Sequence, residues 1–295
     1  MASLDDLKKR IKSVKSTQKI TKAMKMVAAA KLRKAQESAE KGRPYSRKMQ
    51  NIILNLTKSI NNPESAPKLL VGTGKDEVYL CVVLTADRGL CGGFNSNICK
   101  LAKTNFKKLL KERKEIKIIT VGSKGLDQIK REYEKHIIKR FSFKEKKQIS
   151  FEEAEIVGRE IIRLFNKGEF DKCIIFYNNF KNVITQIPQA QQIIPVEKID
   201  SKEEENKQEE QFSYEFEPDE DEILEDLLPK NISTQVFKAF LENAASEQGS
   251  RMTAMDNATR NAGDLVDKLT INYNRSRQAS ITKELIEIIS GAESL

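Results

Sequence analysis

Leu4, Leu7, Ile11 and Val14 step along the chain by 3, 4 and 3, while Ala262, Val266, Leu269 and Tyr273 step by 4, 3 and 4. Both are apolar seams of the kind that run down one face of a helix in a coiled coil. Laid antiparallel with 4 opposite 273 and 14 opposite 262, the paired numbers sum to 276 or 277 throughout, so the register does not drift. The pattern predicts a long antiparallel pair of terminal helices. Residues 4–41 lack Gly and Pro, and Gly42 with Pro44 predict a bend or kink before helix resumes over 46–60. The first arm is then on the order of 80 Å long.

Between the helices the pattern changes. Residues 61–75 have loop composition. Residues 78–84 and 172–177 are nearly continuous apolar runs, as in strands buried on both faces. A further strand is predicted over 116–121 and an edge strand over 136–141, with helices over 97–111, 125–133 and 151–165. Residues 183–196 read as two short strands broken at Pro188, and 212–217 as a further edge strand. The β-α order predicts a doubly wound α/β layer. The fold class is therefore α/β: a long coiled coil of N- and C-terminal helices plus an inserted Rossmann-like domain. The expected boundaries are 1–68, 69–218 with a charged loop at 197–211, and 219–295.

Register has a consequence at the C-terminus. If residue 4 faces 273, everything from about 274 onward lacks a partner helix and extends roughly 33 Å. That tail carries Ile281, Leu285, Ile286, Ile288 and Ile289. Either another protein buries it or it folds back on the α/β domain. Met24, Met26, Met252 and Met255 come together in the same register. They read as seam packing or as a compliant contact surface.

Net charge is +9, unevenly placed. Residues 1–60 hold 16 Lys/Arg against 4 Asp/Glu, and 197–226 hold 3 against 15. A basic helix meets an acidic protein surface, anionic lipid or nucleic acid, or is a solvated face. No stretch reaches the roughly 18 apolar residues of a membrane span. The start MASLDDLKK is read as neither signal nor transit peptide, so the chain is expected to be soluble or to reach a membrane only through partners. The four cysteines form no CxxC pair, and with one histidine a zinc site is not expected.

Catalytic equipment is sparse. Gly72-Thr73-Gly74-Lys75 lacks the first Gly and the hydroxyl residue of a phosphate loop, since those positions hold Leu69 and Asp76. The run TADRGLCGGFN (85–95) follows the first strand and could in principle cradle phosphate, but it is not GxGxxG and reads as a structural turn. Asp87, Arg88, Gly89, Gly92 and Gly93 are its candidate structural residues. Cys91 has no histidine near it in sequence, and His136 reads as a structural histidine.

The runs LKKRIKSVKSTQKITKAMKMVAAAKLRKAQ, TADRGLCGGFN and ENAASEQGSRMTAMDNATRNAGDL, with the closing pattern Ile281-Thr-x-Glu284-x-x-Glu287, resemble the gamma-subunit family of F-type ATP synthases. The resemblance implies a non-catalytic rotating stalk that couples c-ring rotation to conformational change in the beta subunits. It implies alpha, beta, delta and epsilon subunits and the c-ring as partners. No cofactor, metal, nucleic acid or small-molecule substrate of its own is implied, and the expected place is the cytoplasmic face of the cell inner membrane, peripheral. It places Met24, Lys25, Arg251, Gln278, Thr282, Glu284 and Glu287 against a beta subunit. Ile281, Leu285, Ile288 and Ile289 become an apolar bearing tip. The alternatives kept beside it are a basic coiled-coil nucleic-acid binder, for which stacking aromatics are sparse, and an NAD-type enzyme, which lacks the fingerprint.

Overall fold

A computed structural model describes residues 3–59, 67–146, 150–196 and 220–293. The helices are α1 (Leu4–Ser59), α2 (Lys68–Val71), α3 (Phe94–Lys111), α4 (Ser123–Tyr133), α5 (Phe151–Asn166) and α6 (Glu220–Glu293). The strands are β1 (Val78–Leu84), β2 (Glu115–Val121), β3 (Ile137–Phe141), β4 (Lys172–Phe180) and β5 (Gln186–Ile194). The predicted strand at 212–217 and the charged loop at 197–211 lie outside the described residues. The chain forms two compact units, Lys31–Ser250 and Met1–Ala30 with Arg251–Leu295.

In the larger unit a five-stranded sheet has the order β3-β2-β1-β4-β5. The first four strands are parallel and β5 runs antiparallel to β4. Alternate residues of β1 serve opposite faces, as the two-residue period requires. Leu80, Val82 and Leu84 join Val157 and Ile161 of α5 and Ile232, Val236 and Phe240 of α6 in one core. Tyr79, Cys81 and Val83 join Ile98, Ala102 and Phe106 of α3 and Ile129 of α4 in the other. Gly158 permits the close approach of α5 to α6, since a Cβ there would sit 2.7 Å from Ser233 Oγ.

α1 runs on through Gly42 and Pro44, with helix on both sides of them as the pattern predicts. A Cβ on Gly42 would lie 3.0 Å from Leu241 Cδ1. Two expectations change. Pro188 does not split its strand. It sits within β5 opposite Asn178, at a sheet edge where a missing N–H is tolerated. Residues 68–71, expected as loop, form the short α2, whose Leu70 packs with Met49, Ile53, Leu224 and Leu228.

Two carboxylates hold α5. Glu153 accepts from Ser150 Oγ and from the Ser150 N–H at 2.8 Å, and pairs with Lys146 at 2.9 Å. The Ser150 bond chiefly lowers its pKa to about 2. Glu160 receives Arg163 in a two-pronged bond at 2.7 and 3.0 Å, and Arg163 chiefly lowers its pKa to about 2. Groups whose carboxylate is favoured by folding stabilise the protein above their unfolded pKa of about 4.5 and lose that stabilisation as pH falls toward 2. The unfolding midpoint should therefore drop across that window, and Glu153→Gln with Glu160→Gln should flatten the drop. An unchanged acid profile in the double variant would show that other carboxylates control it.

Candidate functional site

In the smaller unit, the start of α1 and the end of α6 pair antiparallel. Thr259 Oγ1 donates to Thr21 Oγ1 at 2.8 Å, and Lys25 Nζ donates to Asp256 Oδ1 at 2.5 Å. A Cβ on Gly263 would lie 3.0 Å from Gln18 Nε2. Paired numbers thus sum to 280 or 281, one helical turn away from the register read from the seams. At this sum Ile11 faces Leu269, Val14 faces Val266 and Leu7 faces Tyr273. The apolar residues still meet one another because a slip of four residues nearly restores the seam. The two threonines and the ion pair distinguish the registers.

In this register the tail beyond the helix pair is one turn shorter but still present. Leu4, the first residue of α1, now stands opposite 276, so 277–293 extend about 25 Å past the pair. Ile281, Leu285, Ile288 and Ile289, at helical spacings of 4, 3 and 1, are 49% to 68% exposed. Ile286, on the same tail, is 58% exposed. Gln278, Thr282, Glu284 and Glu287 are exposed beside them. Among their local bonds, Thr282 Oγ1 donates to Gln278 O at 2.9 Å and Lys283 pairs with Glu287 at 3.5 Å. Tail residues therefore present both apolar and polar groups to solvent within one short helical segment.

Met24, Lys25 and Arg251 are half-buried in the same unit. Lys25 is held by Asp256 rather than standing as an isolated cation, which its basic surroundings in sequence did not suggest. Lys8, Lys12, Lys15, Lys19 and Lys22 are exposed and give α1 a basic surface. Met24 does not sit opposite Met252 as the seam register had it; that position faces Ala28.

The turn at 85–95 belongs to the larger unit, at the C-terminal ends of the strands. There β1 lies between β2 and β4, where the strand order reverses and doubly wound proteins bind ligands. Here the crevice is occupied by the chain itself. Ser250 Oγ donates to Cys91 O at 2.7 Å, and Ser246 Oγ donates to Asn178 O at 3.1 Å. Asn243 Oδ1 accepts from Asn178 N at 3.2 Å. Asp87 is the organising residue of the turn. Its carboxylate accepts from Ser123 N at 2.9 Å, Ser142 Oγ at 2.8 Å and Phe143 N at 3.1 Å. It thereby ties the end of β1 to the loops after β2 and β3. Of the three glycines singled out, only Gly92, at φ +57°, needs glycine's backbone freedom. Gly89, Gly93 and Arg88 are exposed and Gly93 precedes α3.

The remaining candidates are structural. Cys91 is buried and its Sγ accepts from Asn95 Nδ2 at 3.3 Å. Burial pushes the Cys99 thiol up to about 11 and raises Cys81 and Cys173 as well. His136 Nδ1 lies 3.1 Å from Ile116 O. Thr73, in the incomplete phosphate loop, donates to Asp171 Oδ1 at 2.6 Å at the opposite end of the sheet from the turn. Among the described residues there is no cluster of His, Cys, Asp and Glu fit for a metal, and no helix is long and apolar enough to cross a membrane.

The residues that sequence reading missed lie on α6. Glu242, Ser246 and Ser250 recur every four positions and so share a helix face. Polar side chains at such spacing inside an apolar stripe were the available signal.

The family model described as ATP synthase matches residues 3–295. The chain is 73% identical over 295 residues to the ATP synthase gamma chain of Pelagibacter ubique (strain HTCC1062), covering all of both chains. It is 57% identical to the ATP synthase gamma chain of Rhizobium etli (strain CIAT 652), again over all of both. Among solved structures, it matches a chain of the central stalk and c-ring of Tetrahymena thermophila mitochondrial ATP synthase with TM-score 0.60 and 26% identity, covering 81% of this chain and 99% of that one. A chain of Euglena gracilis mitochondrial ATP synthase shares the fold with TM-score 0.65 at 21% identity, covering 99% and 94%. These matches leave the nucleic-acid alternative unsupported. With identity of this order over the whole length, the chain belongs to the ATP synthase gamma chain family.

Proposed function

We propose that this chain is the central rotating stalk subunit of a proton-translocating F-type ATP synthase. It couples c-ring rotation to conformational change in the catalytic beta subunits. The observation that carries the reading is the unpaired end of α6, whose apolar side chains stand in solvent. Such a surface calls for a partner that encloses it, and a sleeve formed by alpha and beta subunits would do so. The subunit itself is non-catalytic: its work is to change the relative affinities of sites it does not contain, which is a linkage between distant binding equilibria.

In this reading Met24, Lys25, Arg251, Gln278, Thr282, Glu284 and Glu287 contact a beta subunit. The exposed cations of α1 favour an acidic partner surface. Ile281, Leu285, Ile288 and Ile289 form the bearing tip. Segments 1–68 and 219–295 act as the axle and 69–218 as its foot, which meets epsilon and the c-ring, while delta belongs to the same assembly. The complex sits at the cytoplasmic face of the cell inner membrane, with this subunit peripheral.

Co-expression with alpha and beta subunits tests the reading. The chain should co-purify with them, and the complex should hydrolyse ATP far faster than alpha and beta alone. Failure to co-purify, or hydrolysis indifferent to the chain, would remove it.

A further inference from the structure

The chain passes between its two compact units at 30/31 and at 250/251, inside α1 and α6. On the stalk reading, torque entering the larger unit must leave it through those two helices. The sheet must therefore grip them. Much of the contact between the sheet and α6 is apolar, through Ile232, Val236 and Phe240. Apolar burial is non-directional and by itself opposes sliding or turning of a helix only weakly. Directional bonds oppose it strongly, because a shift of about 1 Å takes them out of range.

Such bonds are concentrated at one place. Glu242, only 4% exposed, accepts from Phe180 N at the end of β4 at 3.1 Å. It also receives Arg43 of α1, whose Nε lies at 2.9 Å and Nη2 at 2.8 Å. One carboxylate thus joins α1, α6 and the sheet. One residue on, Asn243 holds the Asn178 amide, Ser246 holds the Asn178 carbonyl, and Ser250 holds the Cys91 carbonyl in the turn after β1. The set fills the crevice where this fold class ordinarily holds a ligand.

We propose that this polar node is the joint through which torque passes between the α/β domain and the terminal helices. Asn243, Ser246 and Ser250 are positioning residues, and Glu242 with Arg43 makes both helices turn together. The ligand crevice of the fold has become a mechanical clamp. The proposal rests on the stalk reading and adds to it where the force enters.

The test uses the complete membrane-bound complex carrying Asn243→Ala with Ser250→Ala, beside Ser250→Thr, which keeps the hydroxyl. Three quantities are read: ATP hydrolysis, ATP-driven proton pumping, and amide exchange of the two β4 amides at Asn178 and Phe180. The Asn178 amide should exchange about tenfold faster in the double variant, having lost its acceptor, while the Phe180 amide keeps Glu242 and stays slow. Protons pumped per ATP should fall to about half or less, with hydrolysis maintained and Ser250→Thr near wild type. A merely structural role would lower hydrolysis and pumping together. An unchanged pumping ratio, or an unchanged Asn178 amide, would overturn the proposal. Should the double variant fail to assemble, Ser250→Ala alone decides by the same ratio. The wild-type chain separates the two readings: if it does not confer hydrolysis on alpha and beta, it is the stalk reading that has failed.

Discussion

Truncation after Ser280 should abolish most of the active complex. The lost segment carries Ile281, Leu285, Ile286, Ile288 and Ile289, all about half exposed or more in the chain alone. Full burial of one such side chain contributes about 1.5–3 kcal/mol. Ordering and association costs remove much of the sum, yet a residue of even 1.4 kcal/mol is about tenfold in affinity. The yield of alpha–beta complex containing this subunit should fall at least about tenfold by co-purification. Leu285→Glu with Ile288→Glu separates the tip's apolar character from its length, because Glu is a strong helix former and the helix remains. The double substitution should reproduce most of the loss. Full yield and full coupling in both variants would mean that the tip is not a bearing.

The largest effect on folding should come from Gly122→Ala. Gly122 closes β2 at φ +96°, a conformation that a side chain strains, and its N–H donates to Phe141 O at 2.9 Å. A Cβ there would collide with the Thr85 carbonyl and come within 2.7 Å of Thr85 Oγ1. Neither neighbour can retreat freely. Thr85 N is bonded to Val121 O at 2.8 Å, and Thr85 Oγ1 accepts from Gly125 N at 2.9 Å. Backbone strain and overpacking act together, and the loss should exceed about 3 kcal/mol. Gly168→Ala is the matched comparison: its φ is +69° but nothing lies within 4 Å of the added carbon. It should lose only about 1 kcal/mol. Urea unfolding followed by far-UV circular dichroism reads both. Equal losses would show that the contact with Thr85 is not the cause.

The register of the helix pair shows where sequence reading runs out. The seams predicted that α1 and α6 pair antiparallel, and they do. Nothing in the seams separated a sum of 276 from a sum of 280, because an apolar stripe repeats almost perfectly after one turn. The choice lies with groups that cannot slide: Thr21 on Thr259, Lys25 on Asp256, and the space that Gly263 leaves for Gln18. The candidate tip stayed legible because it depends only on α6 outlasting α1. The node at Glu242 was not legible, because its acceptors and donors come from residues 62 to 199 positions away.

By itself, the sequence determined the two long terminal helices and their antiparallel pairing, β1 at residues 78–84, the helices and strands that alternate after it as far as β4, and the surplus apolar tail. These follow from local periodicity and burial on both faces, which a short window contains. Tertiary structure alone decided which turn of one helix meets which turn of the other, that β5 runs unbroken through Pro188, and that α6 fills the crevice after β1. Each of those depends on directional contacts between residues far apart in the chain, whose geometry no local pattern encodes.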